Sequence, residues 1–159
     1  MGPHSVLWLF IFFLSLGIGG GLYETLVVYP SWKKGATPQS LPQRLKDSGQ
    51  ALAARRFWPF ISPTTALLAM INVYFAWQRT GFVRELWLAA AIAIVLKSVG
   101  TYTYFAPTMI RKFEKSESLD PAELTKSVDR WTALSPVRLC VELFGWMAAV
   151  WTLWLIAKG

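Results

Sequence analysis

From Ser5 to Tyr29 the chain runs twenty-five residues with one charged side chain, Glu24. As a helix such a run is about 37 Å long, enough to cross a hydrocarbon layer about 30 Å thick. It is too long and too apolar for a cleaved signal peptide, and no A-x-A site follows it. Three more apolar runs follow at about 59–78, 85–106 and 135–157. In lipid a chain must satisfy its backbone polar groups internally, so these runs can fold only as helices or as a closed barrel, and their length selects helices. The expected fold is all-α: an integral membrane four-helix bundle, one transmembrane domain over residues 1–159.

Composition agrees, with 54% apolar and 16% charged residues. The net charge of +7 raises nucleic acid as a partner. The basic residues, however, lie in two polar segments beside the apolar runs and form no basic face on a soluble module, so nucleic-acid binding is disfavoured. Segments 30–58 and 107–134 hold eleven of the sixteen Lys and Arg residues. The bias of cytoplasmic loops toward Lys and Arg then places both segments in the cytoplasm and both termini outside, with the lipid bilayer as the main partner.

The punctuation of the chain divides it further. Pro30 and Pro107 mark the ends of the first and third spans. Ser62-Pro63 and Ser135-Pro136 read as helix starts, with Ser as cap and Pro at the first helical position. Ser40 and Pro42 open a short helix expected to reach about Arg56, with Leu45 and Leu52 as an apolar stripe resting on the membrane surface. Asp120-Pro121-Ala122-Glu123 is a capping box for a second surface helix. Gly17 and Gly21 form a G-x-x-x-G, the signature of a close helix crossing. The exit of span one (Tyr29 to Lys34) resembles that of span three (Ala106 to Lys112), offset by 77 at Pro30 and Pro107. The repeat would relate two helical hairpins about an axis along the membrane normal.

Four charged residues lie well inside the apolar runs: Glu24, Lys97, Arg138 and Glu142. Their formal charges cancel, as expected of groups buried together. Trp131, Ser135, Arg138, Glu142 and Gly145 share one helical face. Counting 1.5 Å per residue from the span ends puts Glu24 level with Arg138 and Lys97 level with Glu142. Two readings stand side by side. The charges hold the helices in register, or they line a polar pocket and act as acid, base or anion-binding groups. In the second reading Tyr23, Trp58, Tyr102, Tyr104 and Trp131 supply its walls, and Asn72 adds a polar group inside span two; the aromatic residues also suit an interfacial belt, and Asn72 suits a helix–helix hydrogen bond. The single histidine, His4, is terminal, and there is no C-x-x-C, so no metal or haem site is expected. Cys140 reads as a small buried apolar residue.

The T-Y-F-A-P exit (Thr103 to Pro107) and the R-W-T-A-L-S-P-V-R run (Arg130 to Arg138), with four spans and the G-x-x-x-G, resemble the anthrone oxygenase-like family of small membrane proteins. That resemblance implies a four-helix membrane bundle and, for its characterised branch, cofactor-free oxidation of an anthrone to an anthraquinone. Such chemistry requires a base to take a carbon-bound proton and a cation to hold the enolate. Glu24 or Glu142 would be the base, and Arg138 or Lys97 the cation. Three functions are therefore open: an enzyme or binder acting on a hydrophobic phenol, anthrone or quinone; a non-enzymatic subunit or scaffold of a larger membrane assembly; and a small transporter working as a homo-oligomer. No cofactor is expected in any of them.

Overall fold

The computed structural model describes residues 2–48 and 55–158, and these are helical with no strand among them. Five helices carry the fold: α1 (Pro3–Lys33), α2 (Leu41–Asp47), α3 (Trp58–Trp77), α4 (Gly81–Gly100) and α5 (Pro121–Lys158). Helix α1 packs on α3 and α5, and α4 packs on the same two helices. Three of them, α1, α3 and α5, are long and apolar enough to cross a membrane. Helix α4 is as long as α3 but carries Arg84, Glu85 and Lys97, which keep it outside that group. The outward faces are apolar: Trp8, Phe12, Leu67, Tyr74, Phe144 and Trp154 are each at least half exposed. A water-soluble monomer rarely leaves so much apolar surface uncovered, whereas lipid contact requires it.

The prolines behave differently from the reading of the sequence. Pro30 does not end α1, which continues to Lys33. Proline lacks an N–H, and its ring meets the carbonyl four residues earlier. Here the turn before it is widened into a π-helix, Glu24–Val28, in which the Tyr29 N–H reaches the Glu24 carbonyl. Beyond α4 the same device recurs: a π-turn at Thr101–Phe105, a short α segment Ala106–Thr108 containing Pro107, and a second π-turn at Met109–Phe113. The turns at 24–28 and 101–105 lie 77 positions apart (24 to 101), the offset of the two prolines. Pro63 and Pro136 also sit inside helices. Helix α3 starts at Trp58, with Pro59 in its first turn, and α5 runs unbroken from Pro121, so surface helix and span are one element. Neither Ser62 nor Ser135 is a cap; Ser135 donates back to the Trp131 carbonyl at 2.9 Å. The cap at Asp120 is present, its carboxylate accepting from the Ala122 and Glu123 N–H groups.

Two apolar cores sit at opposite ends. One gathers Leu7, Phe10 and Leu14 of α1 with Ala69, Trp87, Ile94 and Ala149. The other gathers Tyr29, Trp32, Leu41, Leu45, Phe113, Leu124, Val128 and Trp131. Leu45 is thus buried in a core under the polar segments, where the sequence suggested a membrane-surface stripe; Leu52 lies outside the described residues. Between the cores, glycines admit close approach. A Cβ on Gly17 would collide with the Glu142 carboxylate, and one on Gly145 would lie 2.7 Å from Ile94 Cδ1. The G-x-x-x-G therefore serves a crossing of α1 with α5, and one of its glycines makes room for a charged group.

Candidate functional site

All four interior charges are brought into this middle layer. Lys97 Nζ lies 2.9 Å from Glu142 Oε1, with side-chain exposures of 7% and 4%. Arg138 Nη2 lies 4.0 Å from Glu24 Oε2. The pairing inferred from depth along the helices is the pairing found. Glu24 stands on the first residue of the π-turn, and its carboxylate collects donors from three elements. Trp58 Nε1 donates to Oε1 at 2.6 Å, the Tyr29 hydroxyl donates to Oε2 at 2.9 Å, and Arg138 approaches the same oxygen. Trp131 Nε1 in turn donates to the Tyr29 oxygen at 3.1 Å. The Arg138 guanidinium also lies 4.5 Å from the centre of the Phe105 ring and 5.3 Å from that of Trp58, within cation–π range.

Helical spacing does not pair Tyr29 with Glu24, because positions i and i+5 diverge by about 140° on an α-helix. The wider π-turn brings Tyr29 back toward Glu24, and a proline immediately after a tyrosine was the available signal.

A cavity of about 600 Å³ opens beside this network. Glu24, Arg138, Trp58, Trp131, Tyr102 and Phe105 are among the residues that line it. At its rim Arg55 donates through Nε and Nη2 to the two oxygens of Glu114, both at 2.9 Å. The paired guanidinium holds the Glu114 carboxyl below its ordinary range. Both residues line the cavity and tie the entry of α3 to the end of the α4 extension.

The remaining candidates are scattered. Tyr104 and Lys97 line a separate groove, and Tyr23 borders a third, smaller hollow. Glu142 lines none of these three spaces; it faces Lys97 and Gly17. Asn72 lies apart from all three. It is fully buried, donates to the Leu68 carbonyl at 2.8 Å and accepts from Trp87 Nε1 at 2.8 Å, so its hydrogen bonds serve the apolar core. Cys140 is exposed on the outer face of α5, not buried, because it falls one position past Leu139, which takes the inward place. Among the described residues no group of three or more His, Cys, Asp or Glu is placed to hold a metal.

Chemically, the site offers a cation flanked by aromatic faces at the wall of a mostly apolar cavity. Comparison with protein-family models, with curated proteins and with solved structures finds no match.

Proposed function

We propose that this chain is an integral membrane protein of four spans, α1, α3, α4 and α5, that binds a flat hydrophobic molecule bearing a phenolic or quinone oxygen. Both large polar segments would then face the cytoplasm. The charges of α4 are compatible with a span because Lys97 is neutralised within the protein by Glu142. The carrying observation is the Arg138 guanidinium at the wall of the 600 Å³ cavity, between the rings of Trp58 and Phe105. Cavities of this size, mainly apolar with a few fixed polar groups, suit small aromatic ligands. An oxygen of the ligand would meet Arg138, and its rings would lie against Trp58, Trp131 and Tyr102.

Within this reading Glu24 positions Arg138. Its two carboxylate oxygens are already engaged by Trp58, Tyr29 and Arg138. The oxidation of an anthrone, which the sequence resemblance suggests, is therefore supported here on its cation and less on its base. A second reading, a non-enzymatic subunit, draws on another observation: no buried side-chain polar atom among the described residues lacks a partner. A set of charges so fully satisfied can serve structure alone.

The test is fluorescence or calorimetric titration of the detergent-purified protein with an anthraquinone, followed by an anthrone oxidation assay in air. Saturable binding is expected in wild type. Arg138→Gln should weaken it at least tenfold with helix content unchanged, and Ser62→Phe, which fills the cavity without touching an ion pair, should abolish it. Equal affinity in all three proteins would overturn the binding reading, and binding without turnover would confine the protein to a binder.

A further inference from the structure

A groove of about 830 Å³, larger than the cavity just described, lies between α4 and α5. It has a polar end and an apolar end. Arg130 and Tyr104 stand at one end, the Arg130 guanidinium 5.1 Å from the centre of the Tyr104 ring. Phe144 stands at the other, fourteen positions along α5, or about 21 Å. Ala93 and Leu96 of α4 accompany it.

The electrostatics of the groove are one-sided. Lys97 and Arg138 both line it, whereas their carboxylates do not: Glu142 is lodged against Gly17 of α1, and Glu24 borders the cavities on the far side of Arg138. The cation of each buried ion pair thus lines the groove while its carboxylate does not, Arg138 lining the neighbouring cavity as well. Arg130 adds an exposed cation that, among the described residues, is held by no ion pair. Among the described residues no acidic side chain lines the space. In mid-groove the α4 wall is Gly100, where an added Cβ would meet nothing within 4 Å.

From this we infer that the α4–α5 groove is a binding site for an anionic glycerophospholipid. Its phosphate would sit at Arg130, within the field of Arg138, and an acyl chain would run past Gly100 toward Phe144. Basic pockets at the end of a membrane span, continued by an apolar surface, have the charge and polarity order of such a lipid. The inference rests on the membrane reading above but not on the aromatic-ligand cavity.

Native mass spectrometry of the full chain, released from micelles containing phosphatidylglycerol or phosphatidylcholine, tests it. Wild type is expected to retain one phosphatidylglycerol in preference to phosphatidylcholine. Arg130→Gln should reduce that preference about fivefold. Gly100→Leu, a substitution favourable to the helix, should expel the lipid by filling the groove. Equal retention of the two lipids by wild type overturns the proposal. So does an unchanged preference in Arg130→Gln, which reads out even where Gly100→Leu fails to fold. An alkaline carbonate wash of the membranes separates the two levels of failure. Release of the chain overturns the membrane reading and the lipid site together, whereas a retained chain with no lipid preference overturns the lipid site alone.

Discussion

Lys97 and Glu142 offer the sharpest test of how the middle layer is built. At 2.9 Å the two unit charges attract by about 6 kcal/mol with an effective dielectric constant of about 20, against about 4 kcal/mol for Arg138 and Glu24 at 4.0 Å. Desolvation offsets much of this, so the pair need not be worth more than an apolar replacement of the same volume. Removing one partner is a different matter, because it strands a charge that is at most 7% exposed. Lys97→Met and Glu142→Gln should each cost roughly 3–5 kcal/mol. For a chain of 159 residues that corresponds to a drop in Tm of roughly 6–20 °C. The double variant should recover at least about 2 kcal/mol of the summed loss, since contacting residues do not add. Glutamine keeps the shape that Gly17 admits, so steric effects stay out of the comparison. Thermal unfolding of the four proteins in one mild detergent, followed by circular dichroism, measures the coupling. Additive losses, or single variants as stable as wild type, would refute the claim that the two groups are buried as a pair.

Two further outcomes follow from the same geometry. Gly17→Ala should lower Tm because its methyl group meets the Glu142 carboxylate, a clash worth about 1–3 kcal/mol, while Gly19→Ala, whose Cβ meets nothing, should raise Tm slightly through helix propensity; the same shift in both would show that the helices do not cross at Gly17. Glu114 is held below its ordinary carboxyl range by Arg55, so the clamp adds stability above about pH 5 and loses it as the pH falls through the lowered folded value. The difference in Tm between wild type and Glu114→Gln should accordingly shrink as the pH falls below the ordinary carboxyl range, and a difference independent of pH would place the effect elsewhere.

How much of this could be read from the sequence depends on the range of the interaction. The two ion pairs were legible because burial demands neutrality and because helices convert residue number into depth at a fixed rise, which set Glu24 beside Arg138 and Lys97 beside Glu142. The cap at Asp120 was legible because a cap needs only its own first turn. The prolines depart from their local rule because the rule is local while its relief is not. A ring that would break an α-helix is tolerated once the preceding turn widens, and nothing in a run such as T-L-V-V announces a wider turn. The same widening brings in Tyr29, since its reach to Glu24 belongs to the π-turn. Asn72 makes the helix–helix hydrogen bond that a buried amide in a span suggests, but its donor, Trp87 Nε1, comes from a neighbouring helix whose packing cannot be counted from a span end.

The structure also sharpens what exchange of the Glu24 and Arg138 charges would do. A bare ion pair survives reversal, because the attraction is unchanged when both signs flip. This pair is not bare. Trp58 Nε1 and the Tyr29 hydroxyl both point hydrogens at position 24, and the Tyr29 oxygen already accepts from Trp131 Nε1. An indole N–H has no acceptor capacity at all. Glu24→Arg combined with Arg138→Glu should therefore remain destabilised, while Glu24→Gln, which still offers an oxygen to those donors, should be tolerated better than Glu24→Ala. Thermal unfolding of the three variants in the same detergent decides it. If the reversed pair were as stable as wild type, the carboxylate would be held by Arg138 alone, and the donors from α3 and the π-turn would be bystanders.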